Sequence, residues 1–251
     1  LLLAAVVIAA VIFAGSNGFH DAALTVGNAV VGRAMRPGWA LSLAVIFNFI
    51  GALLGEGIAI VVANQIVLFS GSADLILTSL IIAFVAATTW SLFTYYLALP
   101  VSSTHCLIGG LLGAGIVFGF SVNAEHAMNN VVWPLVLSPI LGFILAWVLT
   151  LILSKSLAST PPKPLFRGAR MVDSVLTASL SLVHGIQDAQ KVAALVMVGI
   201  LAVEATPHDG LSIVEISWPV RLLIAAALAL GTGLSGWRVV QTLSVRMVRL
   251  D

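Results

Sequence analysis

The chain has 251 residues, of which 60% are hydrophobic and only 8% charged, against about 25% charged in an ordinary soluble domain. So few charges cannot give a protein of this size a polar skin, which excludes a soluble globular enzyme, a disordered chain and a nucleic-acid binder and makes lipid the main solvent. The net charge of +1 says little by its size, whereas the placement of the 11 basic residues says a great deal.

A helix that crosses the bilayer needs about 20 apolar residues, and lipid leaves an open strand edge without hydrogen-bond partners. An all-α polytopic membrane protein is therefore expected. Seven apolar segments follow one another: Leu1–Val31, Trp39–Val62, Leu75–Leu99, Cys106–Phe120, Asn130–Ser154, Met171–Val203 and Trp218–Trp237. The short alternating segments of a barrel are absent from the sequence. The first segment has neither a basic leader nor a clear cleavage site, so it reads as a membrane helix in which the chain begins, not as a signal peptide. The fourth segment is short and follows the third after a tight polar turn, which predicts a re-entrant hairpin near residues 99–120. The single cysteine, Cys106, excludes an internal disulfide framework and a cysteine-rich metal site, and reads as a small buried hydrophobe.

Basic residues give the orientation. Arg33 and Arg36 follow the first segment, Lys155, Lys163, Arg167 and Arg170 the fifth, and Arg238, Arg246 and Arg249 the seventh, while the connections Ala63–Asp74, Ser121–Asn130 and Glu204–Ser217 hold no Lys or Arg. Placing the basic regions in the cytoplasm makes every crossing consistent. The stretch 155–170, with Pro161, Pro162 and Pro164, reads as a cytoplasmic linker. It would join a first transmembrane repeat (1–154) to the start of a second, inverted one (171–251).

Asp21, Glu56, Asp188 and Lys191 lie in or near apolar segments, where a charge costs at least about 2.5–3.5 kcal/mol on insertion scales. Glu56 has the alternative of reaching water at a helix end, and Arg221 that of snorkelling. Asp21 belongs to the glycine-punctuated patch Gly15-Ser16-Asn17-Gly18-Phe19-His20-Asp21-Ala22. Asp188 belongs to His184-Gly185-Ile186-Gln187-Asp188-Ala189-Gln190-Lys191. The patches share Gly-x-x-Asp-Ala and are entered from opposite sides, so interrupted helices around a midplane binding site are expected. The plainer alternative is that Gly18 and Gly185 permit close helix packing. In Leu99-Pro100-Val101-Ser102-Ser103-Thr104-His105, Pro ends a helix and Ser or Thr caps one starting near Cys106. Unpaired N–H groups, the positive end of the helix dipole and three hydroxyls together suit an anion.

Taken together, these residues resemble bacterial members of the inorganic phosphate transporter (PiT) family over nearly the whole chain. Gly18-Phe19-His20-Asp21-Ala22-Ala23 is similar to the family's first signature and Gly185-Ile186-Gln187-Asp188-Ala189-Gln190-Lys191 to its second. Trp90–Tyr96 with Pro100–His105 resembles the approach to its re-entrant hairpin, and Gly236-Trp237-Arg238-Val239-Val240 the end of a later helix. The chain departs from the pattern at His20 and Gln187, where Asn is common, and at Leu24 and Ser91, also frequent Asn positions. These changes bear on the coupling ion and its coordination. The family's second Pro-Ser/Thr-rich hairpin is expected after Asp251 and not within this chain.

The resemblance implies phosphate uptake into a bacterium through its plasma membrane, coupled to Na⁺ or H⁺ by alternating access, with no cofactor. It implies Ser102, Ser103, Thr104, Asp21, Asp188, Gln187 and Lys191 around phosphate. It puts Asp21, Asp188, Asn17 and His20 around the coupling ion, with Na⁺ possible at Asp21 and Asp188. A cation or proton on the carboxylates relieves their repulsion of an anion, which couples the two bindings reciprocally. Lys191 would face phosphate or pair with Asp188 three residues earlier. Relatives suggest a homodimer, which no heptad or small-residue stripe in this chain shows. Sulfate or a metal–phosphate complex suits the same hydroxyls. An intramembrane enzyme lacks a Gly-x-Ser-x-Gly elbow and a His-Glu-x-x-His motif, and a purely structural bundle leaves the charged patches without a purpose.

Overall fold

The computed structural model describes residues 1–55, 66–97, 99, 101–204 and 216–241. Glu56, Pro100, Arg246 and Arg249 lie outside the described residues. The described chain is almost wholly helical: α1 (Leu2–Val31), α2 (Pro37–Leu54), β1 (Val67–Leu68), α3 (Ala73–Tyr96), α4 (Ser103–Val117), β2 (Ser121–Val122), α5 (Ala124–Ala127), a π-helical turn (Met128–Val132), α6 (Trp133–Leu157), α7 (Pro162–Glu204) and α8 (Trp218–Gln241). The described residues of the seven apolar segments lie mainly on helices, and four of these helices, with Ala124–Leu157 as a fifth span, are long and apolar enough to cross a membrane. The protein is an all-α multi-pass membrane protein. The two strands are a small addition that hydropathy does not announce. Val67 pairs with Val122 and Leu68 with Ser121 in an antiparallel ladder that ties the chain before α3 to the end of α4.

The helices α1, α2, α7 and α8 form the centre, with α3 and α4 as a hairpin against α1. The packed layer consists of Phe13 on α1, Leu80 and Phe84 on α3, Val192, Leu195 and Val196 on α7, and Ile224 and Leu228 on α8, all nearly inaccessible. Phe13 and Phe84 meet with ring centroids 5.9 Å apart. The helix α6 stands apart from this centre, with none of its residues buried. An apolar helix of that kind is stable only in a solvent as apolar as itself.

Several features differ from the sequence reading. First, α1 and α7 pass through both polar patches as unbroken helices. The glycines serve close approach instead of interruption. A methyl at Gly18 would run into the Leu228 carbonyl of α8 and one at Gly185 into the Asn48 carbonyl of α2. The favour is returned by Gly231 against Gly15 and by Gly51 against Leu182. Backbones this near exclude any side chain at the crossing. Second, most of the expected linker is helix. Pro162 opens α7 and Pro164 sits in its first turn, where a missing N–H removes no helical bond. Only residues 158–161 separate α6 from α7, and Lys163, Arg167 and Arg170 lie exposed on a helical extension. Third, α4 begins at Ser103, not at Cys106. Ser102 is its N-cap, its hydroxyl accepting from the His105 N–H at 3.4 Å. At 15 residues α4 is about 22 Å long, too short to cross about 30 Å of hydrocarbon. Cys106 is half-buried instead of buried. Arg221 does not snorkel: it is 5% exposed, donates to the carbonyls of Leu53 (3.3 Å) and Ile216 (3.4 Å), and stacks over Trp218.

Candidate functional site

The middle of α1 and the middle of α7 bring their aspartates together beside the N-terminus of α4. Asp21 and Asp188 are 5% and 8% exposed, a depth at which a carboxylate persists only with partners. The Ser103 hydroxyl supplies one: it donates to Asp21 Oδ2 at 3.1 Å, with Asp188 Oδ2 at 3.5 Å. The Asn17 amide donates to Asp188 Oδ2 at 3.0 Å. His20 Nδ1 lies 3.1 Å from Asp21 Oδ1. Lys191 Nζ donates to Asp188 Oδ1 at 3.1 Å and to Thr104 Oγ1 at 2.6 Å, so the ammonium joins the carboxylate to the hydroxyl-bearing turn. The i, i+3 spacing on α7 is what lets Lys191 reach its aspartate.

His184, one turn before Asp188, was not among the residues singled out for the site, yet it stands at its centre. Its Nε2 is 3.2 Å from Asp188 Oδ2 and 3.5 Å from Asp21 Oδ2. These three side chains present one ligand atom each within 4.8 Å of one another, an arrangement able to hold a metal ion. Behind the ring, His184 Nδ1 lies 2.9 Å from Asn48 Oδ1, and Asn48 Nδ2 donates to Thr232 Oγ1 at 3.1 Å. Asn48 and Thr232 are fully buried. The available signal was slight: His184 and Asp188 share a helix face, and Asn48 is a lone amide in the apolar run of α2.

A cavity of about 560 Å³ opens onto these groups. Its walls come from Leu24 and Thr25 beyond Asp21, from Val101 to Thr104, and from Leu180, Val183 and Gln187 on α7. All lie on the side of the aspartates toward the end of α1 and the start of α7. On the other side the packed layer of Phe13, Phe84 and Leu195 intervenes. Every residue expected around phosphate therefore lines one cavity: Ser102, Ser103, Thr104, Asp21, Asp188, Gln187 and Lys191. Of those expected around the ion, Asn17 and His20 each touch a carboxylate. Asn17 Oδ1 is buried and has no hydrogen-bond partner among the described residues, an acceptor beside a carboxylate that a cation fits.

The chain is similar to known proteins over most of its length. A family model described as the phosphate transporter family matches residues 17–172 and 160–251. A probable low-affinity inorganic phosphate transporter of Bacillus subtilis is 31% identical over 100% of this chain and 74% of its own length. One of Rhizobium meliloti is 34% identical over 100% of this chain and 73% of its own. A solved structure described as the sodium-dependent phosphate transporter shares the fold, with a TM-score of 0.81 over 97% of this chain and 78% of that one, at 21% identity.

Proposed function

Since the chain belongs to the phosphate transporter family, a family of transporters and not of enzymes, we propose that it carries inorganic phosphate across a bacterial plasma membrane together with Na⁺ or H⁺. The observation that carries this reading is the meeting of two buried carboxylates from α1 and α7 with the hydroxyl-bearing N-terminus of α4 at the end of one cavity.

The chemistry follows from charge. With the imidazoles neutral, Asp21, Asp188 and Lys191 leave the site one negative charge in excess. An arriving phosphate meets net repulsion, amplified by the low dielectric. A Na⁺ on the two carboxylates and Asn17 Oδ1, or a proton on the cluster, removes the excess. Phosphate is then held by the hydroxyls of Ser102, Ser103 and Thr104, the first N–H groups of α4 and the ammonium of Lys191. Gln187 adds an amide. Each ligand raises the affinity of the other by the same factor, so neither travels efficiently alone. Phosphate also offers an O–H donor at neutral pH that sulfate lacks, and a carboxylate such as Asp21 is the acceptor for it.

The lopsided surroundings of the site support alternating access. The cavity runs toward the ends of α1 and α7 that carry Arg33, Arg36 and the Lys163–Arg170 extension, which the excess of basic residues assigns to the cytoplasm. On this reading the cavity is the inward-facing one, and the packed layer around Phe13 and Phe84 is the closed outer gate. The paired patches, each with a glycine against a crossing helix, support two inverted halves that rock about the site. The short α4 after its polar turn supports a re-entrant hairpin. The test is ³²P-phosphate uptake by the full-length protein in proteoliposomes, under a Na⁺ gradient and under a proton gradient. Uptake driven by one gradient and competed by phosphate but not sulfate is expected. Equal uptake with neither gradient would overturn the coupling.

A further inference from the structure

Hydrogen-bond direction decides more about the site than distance alone. Thr232 Oγ1 lies 3.0 Å from the carbonyl of Leu228, four residues earlier on α8, and carbonyl oxygen can only accept. The single hydroxyl proton of Thr232 is thus committed, and the same oxygen must accept from whatever else approaches it. What approaches is the side-chain amide of Asn48, at 3.1 Å, which must therefore offer nitrogen to Thr232. Its oxygen is left facing His184 Nδ1 at 2.9 Å, so Nδ1 must carry a hydrogen. Each step leaves the next one choice.

We propose that Asn48 and Thr232 are positioning residues that fix His184 as its Nδ1–H tautomer and thereby commit Nε2 to the space between Asp21 and Asp188. This rests on the reading of those aspartates as the coupling-ion site. Nε2 turns a lone pair, or a proton when it bears one, toward two carboxylate oxygens at 3.2 and 3.5 Å. Two acceptors and a lone pair can share that space only through a positive charge, so the relay keeps the centre of the cluster a place for one cation. The reverse tautomer would place an N–H there permanently and fill the position. The relay is also the one set of polar contacts described that runs from α8 through α2 to α7 and on to α1, so a shift of α8 against α2 alters what the ion meets. Fully buried amide and hydroxyl groups in this apolar crossing are costly unless satisfied, and their satisfaction is one-directional.

The experiment is ¹⁵N-histidine NMR on the full-length protein in nanodiscs, with the His184 signals identified by their absence in His184→Gln. Wild type is expected to show a hydrogen on Nδ1. In Thr232→Val the amide loses its acceptor and is free to turn its nitrogen to His184, so a population without hydrogen on Nδ1 is expected. Thr232→Ser keeps the relay and the wild-type signature. In uptake assays Thr232→Val is expected to raise the cation concentration for half-maximal uptake about tenfold, the usual scale for loss of an outer-shell partner, with the phosphate KM at saturating cation unchanged. A bare Nδ1 in wild type, or an unchanged tautomer in Thr232→Val, overturns the proposal. The wild-type tautomer is read without Thr232→Val, so the proposal is tested whether or not that variant folds. Absence of cation-driven uptake with the Nδ1–H signature intact overturns the transport reading and leaves the tautomer assignment standing.

Discussion

Superposing the α1 patch on the α7 patch by their aspartates, 167 positions apart in the chain, puts Asn17 opposite His184, Gly18 opposite Gly185, His20 opposite Gln187 and Leu24 opposite Lys191. The backbone logic of the two is the same: each glycine lies under a carbonyl of the helix that crosses it. So is the logic one turn before the aspartate, where Asn17 donates across to Asp188 and His184 Nε2 lies 3.5 Å across from Asp21 Oδ2. The difference is the fourth pair. Asp188 has an ammonium at 3.1 Å, whereas the equivalent position on α1 is Leu24, whose side chain lies on the wall of the cavity. Asp21 depends on Ser103 and His20 instead. One patch carries its own countercharge and the other waits for one.

The shared part of the comparison breaks most violently at the glycines. Gly18→Leu and Gly185→Leu each force two helices apart, and loss of folded protein after purification is the expected result for both. Alanine at either site meets a backbone atom and costs about 1–3 kcal/mol or more, read as a lower unfolding midpoint in detergent. Gly27 on α1 has open space around its missing Cβ, so Gly27→Ala is neutral or gains up to about 1 kcal/mol of helix propensity. Next in size, Asp21→Asn and Asp188→Asn are expected to abolish coupled uptake while the protein remains inserted. Robust uptake by both would falsify the ion-site reading. The asymmetric part is sharpened by Lys191→Gln, for which the phosphate KM is expected to rise on the order of tenfold or more, as for loss of a charge-assisted bond worth about 1.5–3 kcal/mol. Leu24→Lys supplies the missing countercharge to the Asp21 side, and weaker dependence of uptake on the coupling cation is the outcome to look for. Smallest is Ser103→Ala, which removes a hydroxyl shared between two acceptors. A loss of about tenfold in uptake is expected, the low end of about 1.5–3 kcal/mol for a hydrogen bond to a charged group.

Spans and site were legible for different reasons. Apolar length alone located the helices, since lipid permits little else, and scarcity of charge made Asp21, Asp188 and Lys191 stand out. Ser103 and Thr104 were legible because hydroxyls at a helix start have a physical purpose. Helix continuity was not legible: a glycine that breaks a helix and one that lets another helix touch it read alike, and only the carbonyls of Leu228 and Asn48 tell them apart. Pro162 and Pro164 misled in the same way, because proline ends a helix at one position and opens it at another. His184 was passed over because its partners, Asn48 and Asp21, lie far away in the chain. No spacing rule joins residues that meet only when α2 crosses α7. Lys191 has no counterpart on α1, where the corresponding residue is Leu24.

The reach of the cavity has an electrical consequence. Where an aqueous opening penetrates to Asp21 and Asp188, the insulating layer of the membrane is no longer its full thickness but only the packed side chains beyond them. A membrane voltage then falls mainly across the layer of Phe13, Phe84 and Leu195. One elementary charge crossing it exchanges about 2.3 kcal/mol with each 100 mV. While that layer is closed, an ion moving between the mouth of the cavity and the carboxylates does almost no electrical work, so the work falls on the step that exchanges one opening for the other.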